Sequence, residues 1–84
     1  MKRILFSDEA KSDLRAIPQH IAMNILTAIH RLAETGAGDV KKIQGSNPPE
    51  HRLRVGNFRV RFTETDADML DVYAVKNRKD AYRD

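Results

Sequence analysis

The stretch His51-Arg52-Leu53-Arg54-Val55-Gly56-Asn57-Phe58-Arg59-Val60-Arg61-Phe62 alternates apolar and basic residues on both sides of Gly56-Asn57. A period of two sends successive side chains to opposite faces, so this pattern describes two half-buried strands joined by a two-residue hairpin turn. Glycine at the first turn position suits a type II′ turn, whose backbone twist matches that of the flanking strands. The register follows: Val55 opposite Phe58, Arg54 opposite Arg59, Leu53 opposite Val60 and Arg52 opposite Arg61. One face carries Leu53, Val55, Phe58, Val60 and Phe62, enough apolar surface to pack against helices. The other carries four arginines in two facing pairs, an arrangement that like-charge repulsion makes unfavourable in the free protein. A merely solvated sheet face is the plain alternative, but such a face usually mixes signs. The set therefore reads as a surface for a polyanion.

The 84 residues leave room for one domain, spanning 1–84, with one modest core. The absence of cysteine excludes a disulfide framework and a thiolate metal site, and suits a reducing cytoplasm. Behind Lys2-Arg3 the apolar run is only Ile4-Leu5-Phe6, too short for a signal-peptide core or a membrane span. The net charge of +3 hides an asymmetry. Residues 1–40 carry five basic and five acidic side chains, whereas residues 41–61 carry six basic ones and only Glu50 against them. Nucleic acid or an acidic protein segment answers that concentration better than a membrane, because the basic residues lie on expected strands rather than along an amphipathic helix.

Around the hairpin, Lys2 to Phe6 reads as a short strand with Ile4 and Phe6 on one face. Ser7 is placed to cap a helix whose first turn holds Asp8 and Glu9 and whose stripe is Ala10, Leu14 and Ile17; Pro18 should end it at Ile17. Pro18 suits the first position of a second helix, in which Ile21, Ile25, Ala28, Ile29 and Leu32 recur at helical spacing up to Thr35, before a stop at Gly36. Residues 36–50 read as a loop, with Val40 and Ile43 pinned to the core and Lys41 and Lys42 exposed. After a turn at 65–68, Met69 to Val75 reads as a strand with two partly apolar faces, hence interior. His20 and His30 should face solvent, and Met23 should pack. The expected architecture is α+β: an N-terminal strand, a two-helix hairpin and an antiparallel three-stranded meander, with both helices on one side of the sheet and the other side open.

The helical hairpin, the Lys41-Lys42-Ile43-Gln44-Gly45 segment, the arginine hairpin and the terminal Asn77-Arg78-Lys79-Asp80-Ala81-Tyr82 together resemble the RelE/ParE superfamily of bacterial and archaeal toxins from toxin–antitoxin systems. The terminal Arg-x-x-x-Tyr favours the RelE branch. That resemblance implies a ribosome-dependent endoribonuclease that cuts mRNA in the ribosomal A site and is neutralised by a cognate antitoxin. It also implies an operon repressed by the complex, so that operator DNA is met only indirectly, through the antitoxin. The excess of positive charge predicts an acidic antitoxin.

Cleavage of this kind needs no metal and no cofactor. It requires a proton acceptor for the ribose 2′-hydroxyl, stabilisation of charge on the phosphate, and help for the departing 5′-oxygen. Guanidinium offers paired donors to phosphate oxygens, which makes Arg54 and Arg59 candidates for stabilising the transition state. The resemblance extends catalytic roles to Arg78 and Tyr82. Lys42, Arg52, Arg61 and Lys76 are expected to hold RNA, with Lys76 also able to assist the leaving oxygen. His51 shares parity with Leu53 and should border the core. Asn77 departs from the family, whose members often carry a basic residue there. The competing functions are a ParE-like inhibitor of DNA gyrase that cuts no RNA, and an inactive relic that binds only its antitoxin.

Overall fold

A computed structural model describes residues 2–45, 49–66 and 68–81. The chain runs β1 (Arg3–Phe6), α1 (Asp8–Arg15), α2 (Gln19–Thr35), β2 (Asp39–Ile43), β3 (Glu50–Val55), β4 (Phe58–Asp66), β5 (Met69–Asn77) and α3 (Arg78–Ala81). The strands form one sheet in the order β1-β5-β4-β3-β2, and α1 and α2 pack against it on one side, which is the expected α+β class.

The hairpin is built as its alternation requires. Val55 pairs with Phe58, Arg54 with Arg59, Leu53 with Val60 and Arg52 with Arg61. Gly56 has φ +58° and no described non-glycine residue has positive φ, the combination a type II′ turn needs and a type I′ turn does not. Leu53, Val60 and Phe62 are buried against Ile25, Ile29, Leu32 and Ala33 of α2, Ala10 of α1 and Leu70, Val72 and Val75 of β5.

Ser7 caps α1 by accepting from the Ala10 amide at 3.0 Å, and its hydroxyl donates to the Tyr73 carbonyl at 3.1 Å. Helix α1 stops at Arg15, two residues earlier than expected. Pro18 stands at the N-cap of α2 with ψ 140°, outside the helix rather than in its first turn. Gly36, at φ 75°, closes α2 in the left-handed conformation that glycine adopts without a side-chain clash.

The sheet departs from expectation at residues 39–43 and extends it elsewhere. Residues 39–43 are a strand, not part of a loop: β2 pairs antiparallel with β3 along its length. It is an edge strand whose side chains are exposed except for Ile43, so no apolar alternation marks it, and Val40 is 37 % exposed rather than pinned in the core. Strand β1 pairs parallel with β5, Ile4 opposite Leu70 and Phe6 opposite Val72, so the sheet is mixed. Strand β5 reaches Asn77 and is interior as expected. Its pairing with β4 jumps from Arg61↔Ala74 to Phe62↔Val72, leaving Tyr73 as an extra residue. This bulge puts Val72 and Val75 in the same core despite their odd spacing, which is why parity could not orient the strand. Met23 is 54 % exposed and does not pack, whereas His20 and His30 face solvent as expected.

Helix α1 closes the sheet where β1 ends. Beyond Phe6 the free edge of β5 is met by the Ser7 amide, which donates to the Val72 carbonyl at 2.9 Å, and by the Asp13 carboxylate, which accepts from the Val75 amide at 2.9 Å. Ser7→Ala removes a cap and a bond to β5 together. It should lower unfolding stability by about 1–2 kcal/mol in urea denaturation, with little change in the slope of the transition.

Candidate functional site

The register of β2 to β5 aligns side chains in rows across the helix-free face. One row runs Asp39, Arg54, Arg59, Lys76, and the next Lys41, Arg52, Arg61, Ala74. A cavity of about 380 Å³ opens at the hairpin end of this face, lined by Asp39, Val40, Lys41, Arg52, Arg54, Arg59 and Arg78. Arg78 reaches it because the Arg78 amide donates to the Asn57 carbonyl at 2.6 Å, tying the start of α3 to the hairpin turn.

Arg59 is the buried member. It is 5 % exposed, and its Nε and Nη1 are shut off from solvent without a hydrogen-bond partner among the described residues. A desolvated guanidinium facing other cations is unfavourable until an anion supplies the missing acceptors. The cavity is thus suited to an oxyanion: Arg59 and three further arginines line it together with Lys41, and Asp39 is the single carboxylate among its described lining residues.

The expected site residues divide. Arg52, Arg54, Arg59 and Arg78 converge on the cavity. Arg61 shares the face by register but lies beside Tyr73 and does not line the cavity. Lys76 stands next to Arg59 in its row, yet its ammonium turns to α1, donating to Asp13 Oδ1 at 2.9 Å with Glu9 Oε2 at 3.4 Å. The Asp13 hydrogen bond is the main cause that pushes the Lys76 pKa up, so this group stays an ammonium. Lys42 falls opposite His51, on the other face from the arginines; Lys41, opposite Arg52, lines the cavity instead. Tyr82 lies outside the described residues. His51 stacks on Phe62, ring centroids 5.3 Å apart, on the apolar side as expected. Lys41 and Asp39 escaped sequence reasoning because β2 did; recognising that strand would have put its odd-numbered residues beside Arg52 and Arg54.

Away from the hairpin the same face loses its positive character. Tyr73 donates to Glu50 Oε1 at 2.5 Å, and Thr65 donates to Asp71 Oδ2. Burial first, then the bond to Glu50 and its charge, pushes the Tyr73 phenol up to about 12, with Arg61 acting in the opposite direction. Among the described residues no cluster of His, Cys, Asp and Glu is placed to hold a metal ion, and no helix is long and apolar enough to cross a membrane.

The model of the family described as ParE toxin of type II toxin–antitoxin system, parDE, matches residues 4–82. The chain belongs to this family, and it is a toxin of a type II toxin–antitoxin system. Its fold neighbours carry the RelE name. The RelB-RelE antitoxin–toxin complex of Methanococcus jannaschii contains a chain 29 % identical with TM-score 0.75, the match covering 93 % of this chain and 94 % of that one. The RelE-RelB complex of Pyrococcus horikoshii OT3 has TM-score 0.74 at 20 % identity, over 92 % and 94 % of the two chains. The RelBE2 toxin–antitoxin complex of Mycobacterium tuberculosis has TM-score 0.69 at 17 % identity, over 92 % and 98 %. None of the curated proteins matches significantly. The RelE-like branch expected from the residues is thereby supported.

The Tyr73 contact gives this toxin a measurable pH signature. Its phenol ionises in the fold only near about 12, against an ordinary 10.0. Because the folded state holds this proton more tightly than the unfolded chain, the associated stability is complete below pH 10 and lost as pH rises from there towards 12. Ultraviolet titration should resolve a late tyrosine, and Glu50→Gln should move it down.

Proposed function

We propose that this toxin is a metal-independent, ribosome-dependent endoribonuclease that cleaves mRNA in the ribosomal A site and so stops translation. The observation that carries this reading is Arg59: buried, with two guanidinium nitrogens lacking acceptors, in a cavity it shares with Arg54 and Arg78. The substrate's scissile phosphate sits against Arg54 and Arg59, whose planar donors meet its non-bridging oxygens and stabilise the charge that grows there as the 2′-oxygen attacks. Arg78 faces the departing 5′-oxygen, and Tyr82 stacks on a base. Arg52 and Lys41 hold neighbouring phosphates. The ribosome contributes orientation, which alone can lower a barrier by about 7–11 kcal/mol.

The partner that silences this activity is an acidic antitoxin. The RelE chains of the structural neighbours are crystallised with RelB antitoxins, and the cationic rows of this sheet are what an acidic segment would neutralise. A second reading, inhibition of DNA gyrase without RNA cleavage, draws on the ParE name of the family model.

Primer extension on message translated by purified ribosomes separates the two. Endoribonuclease action leaves stops at A-site codons, whereas intact message together with trapped gyrase–DNA complexes would establish the second reading. Arg59→Ala should slow cleavage about 10²–10³-fold, and Arg59→Lys should not restore it, because an ammonium lacks the planar pair of donors. Replacing the same side chain by Met removes a desolvated charge, so Arg59→Met should gain about 1–4 kcal/mol of stability while losing activity, as read by urea denaturation.

A further inference from the structure

RNA cleavage by the 2′-hydroxyl needs a group to receive its proton, and the placement of titratable side chains narrows that role. His51 stacks on Phe62 on the helix side of the sheet. Lys76 is held as an ammonium by Asp13 and Glu9. Glu50 already accepts from the Tyr73 hydroxyl and does not line the cavity. A guanidinium keeps its proton throughout the accessible pH range, which removes Arg52, Arg54, Arg59 and Arg78.

Of the carboxylates, Asp39 remains. It is the only carboxylate among the described residues lining the cavity. Unlike Glu9, Asp13 and Glu64, it forms no ion pair within 4.0 Å among the described residues, so its oxygens are not engaged. As the first residue of β2 it opens the row that continues through Arg54 and Arg59. Neighbouring strands lie about 4.8 Å apart, so the backbone of Asp39 stands roughly 10 Å from that of Arg59, a span that an aspartate, a ribose and the reach of an arginine can fill. Arg78 follows β5, on the far side of β4. A phosphate held by Arg54 and Arg59 therefore has a carboxylate on one flank and a cation on the other, the order that in-line displacement requires.

Resting on the endoribonuclease reading, we infer that Asp39 is a further catalytic residue, the proton acceptor for the ribose 2′-hydroxyl. The 2′-O–H proton passes to the Asp39 carboxylate as the 2′-oxygen forms its bond to phosphorus. The bond from phosphorus to the 5′-oxygen breaks, and its electron pair leaves on that oxygen beside Arg78. The 5′-oxygen takes a proton from water, and Asp39 returns its own to the hydroxide so formed. The products are a 2′,3′-cyclic phosphate and a 5′-hydroxyl, with no net consumption of water.

The test separates chemistry from binding. Single-turnover cleavage of ribosome-bound message at saturating toxin is compared with binding of the same complex carrying a 2′-deoxy, uncleavable A-site codon. Asp39→Asn should slow cleavage about 10²–10⁴-fold while binding stays equal or tightens, because a negative charge leaves a site for a polyanion. Asp39→Ala, at an exposed position of an edge strand, gives the same reading if the amide variant does not fold. Cleavage by either variant at the wild-type rate would overturn the assignment and leave the endoribonuclease reading standing. Message left intact by the wild-type toxin would overturn both.

Discussion

Cross-strand pairing of β3 with β4 sorts the hairpin's side chains, and the rest of the molecule is arranged around that sorting. Leu53, Val60 and Phe62 go to the helix side and are almost completely buried there, while Arg52, Arg54, Arg59 and Arg61 go to the other. With a side-chain period of two, a slip of one residue would drive the arginines under α2 and expose the apolar set. The tight turn at Gly56 holds the register at one end, and the stack of His51 on Phe62 marks its apolar side at the other. The arrangement is locally unfavourable, since Arg54 faces Arg59 directly and Arg59 is withdrawn from water. A group that costs folding free energy and lines a cavity marks the place where function has overridden local optimisation.

The two sheet edges are treated differently, and the difference shapes the site. At the β5 edge, α1 takes over where β1 stops, and Asp13 alone bonds both the Val75 amide and the Lys76 ammonium. That contact turns the Lys76 ammonium away from the cationic row and from its neighbour Arg59. At the other edge β2 is short, exposed and charged, a composition that discourages pairing with a further strand. Its pairing with β3 brings Lys41 and Asp39 to the rim of the cavity. One edge thus sets what is excluded from the site, and the other sets what is added.

Those parts of the fold whose signals are local were legible in the sequence. Ser7 before Asp8-Glu9, the apolar spacing from Ile21 to Leu32, the stop at Gly36 and the hairpin alternation each encode their element within a few residues, and each is found in the structure. What escaped is held by distant partners. Strand β2 has almost no buried face and exists through its backbone bonds to β3; β1 finds β5 across most of the chain; and the bulge at Tyr73 resets parity in mid-strand. The placements at the site inherit these. Parity cannot separate Lys42 from Lys41 in an expected loop, and nothing near Lys76 in sequence announces its bond to Asp13. Arg52, Arg54 and Arg59 were recoverable because their positions depend on the hairpin alone.

The confinement of charge argues for a substrate positioned by something else. Among the described residues the positive charge of the open face is concentrated at its hairpin end; beyond it Arg61 lies beside Tyr73, and Tyr73 with Glu50, and Thr65 with Asp71, add neutral or acidic groups. The cationic surface is therefore a cavity of about 380 Å³, with room for a few nucleotides, not a groove that would track a long strand. Under the proposed function, so few phosphate contacts would give weak, salt-sensitive binding to free RNA. If the proposed chemistry takes place here, a cavity lined by guanidinium groups and a carboxylate, without an imidazole among its described lining residues, depends heavily on the alignment of its substrate. Under the proposed function, weak capture and a strict demand for orientation are both met when the message is already fixed on a larger particle, so the small size of the cavity and a dependence on the ribosome would have the same physical origin.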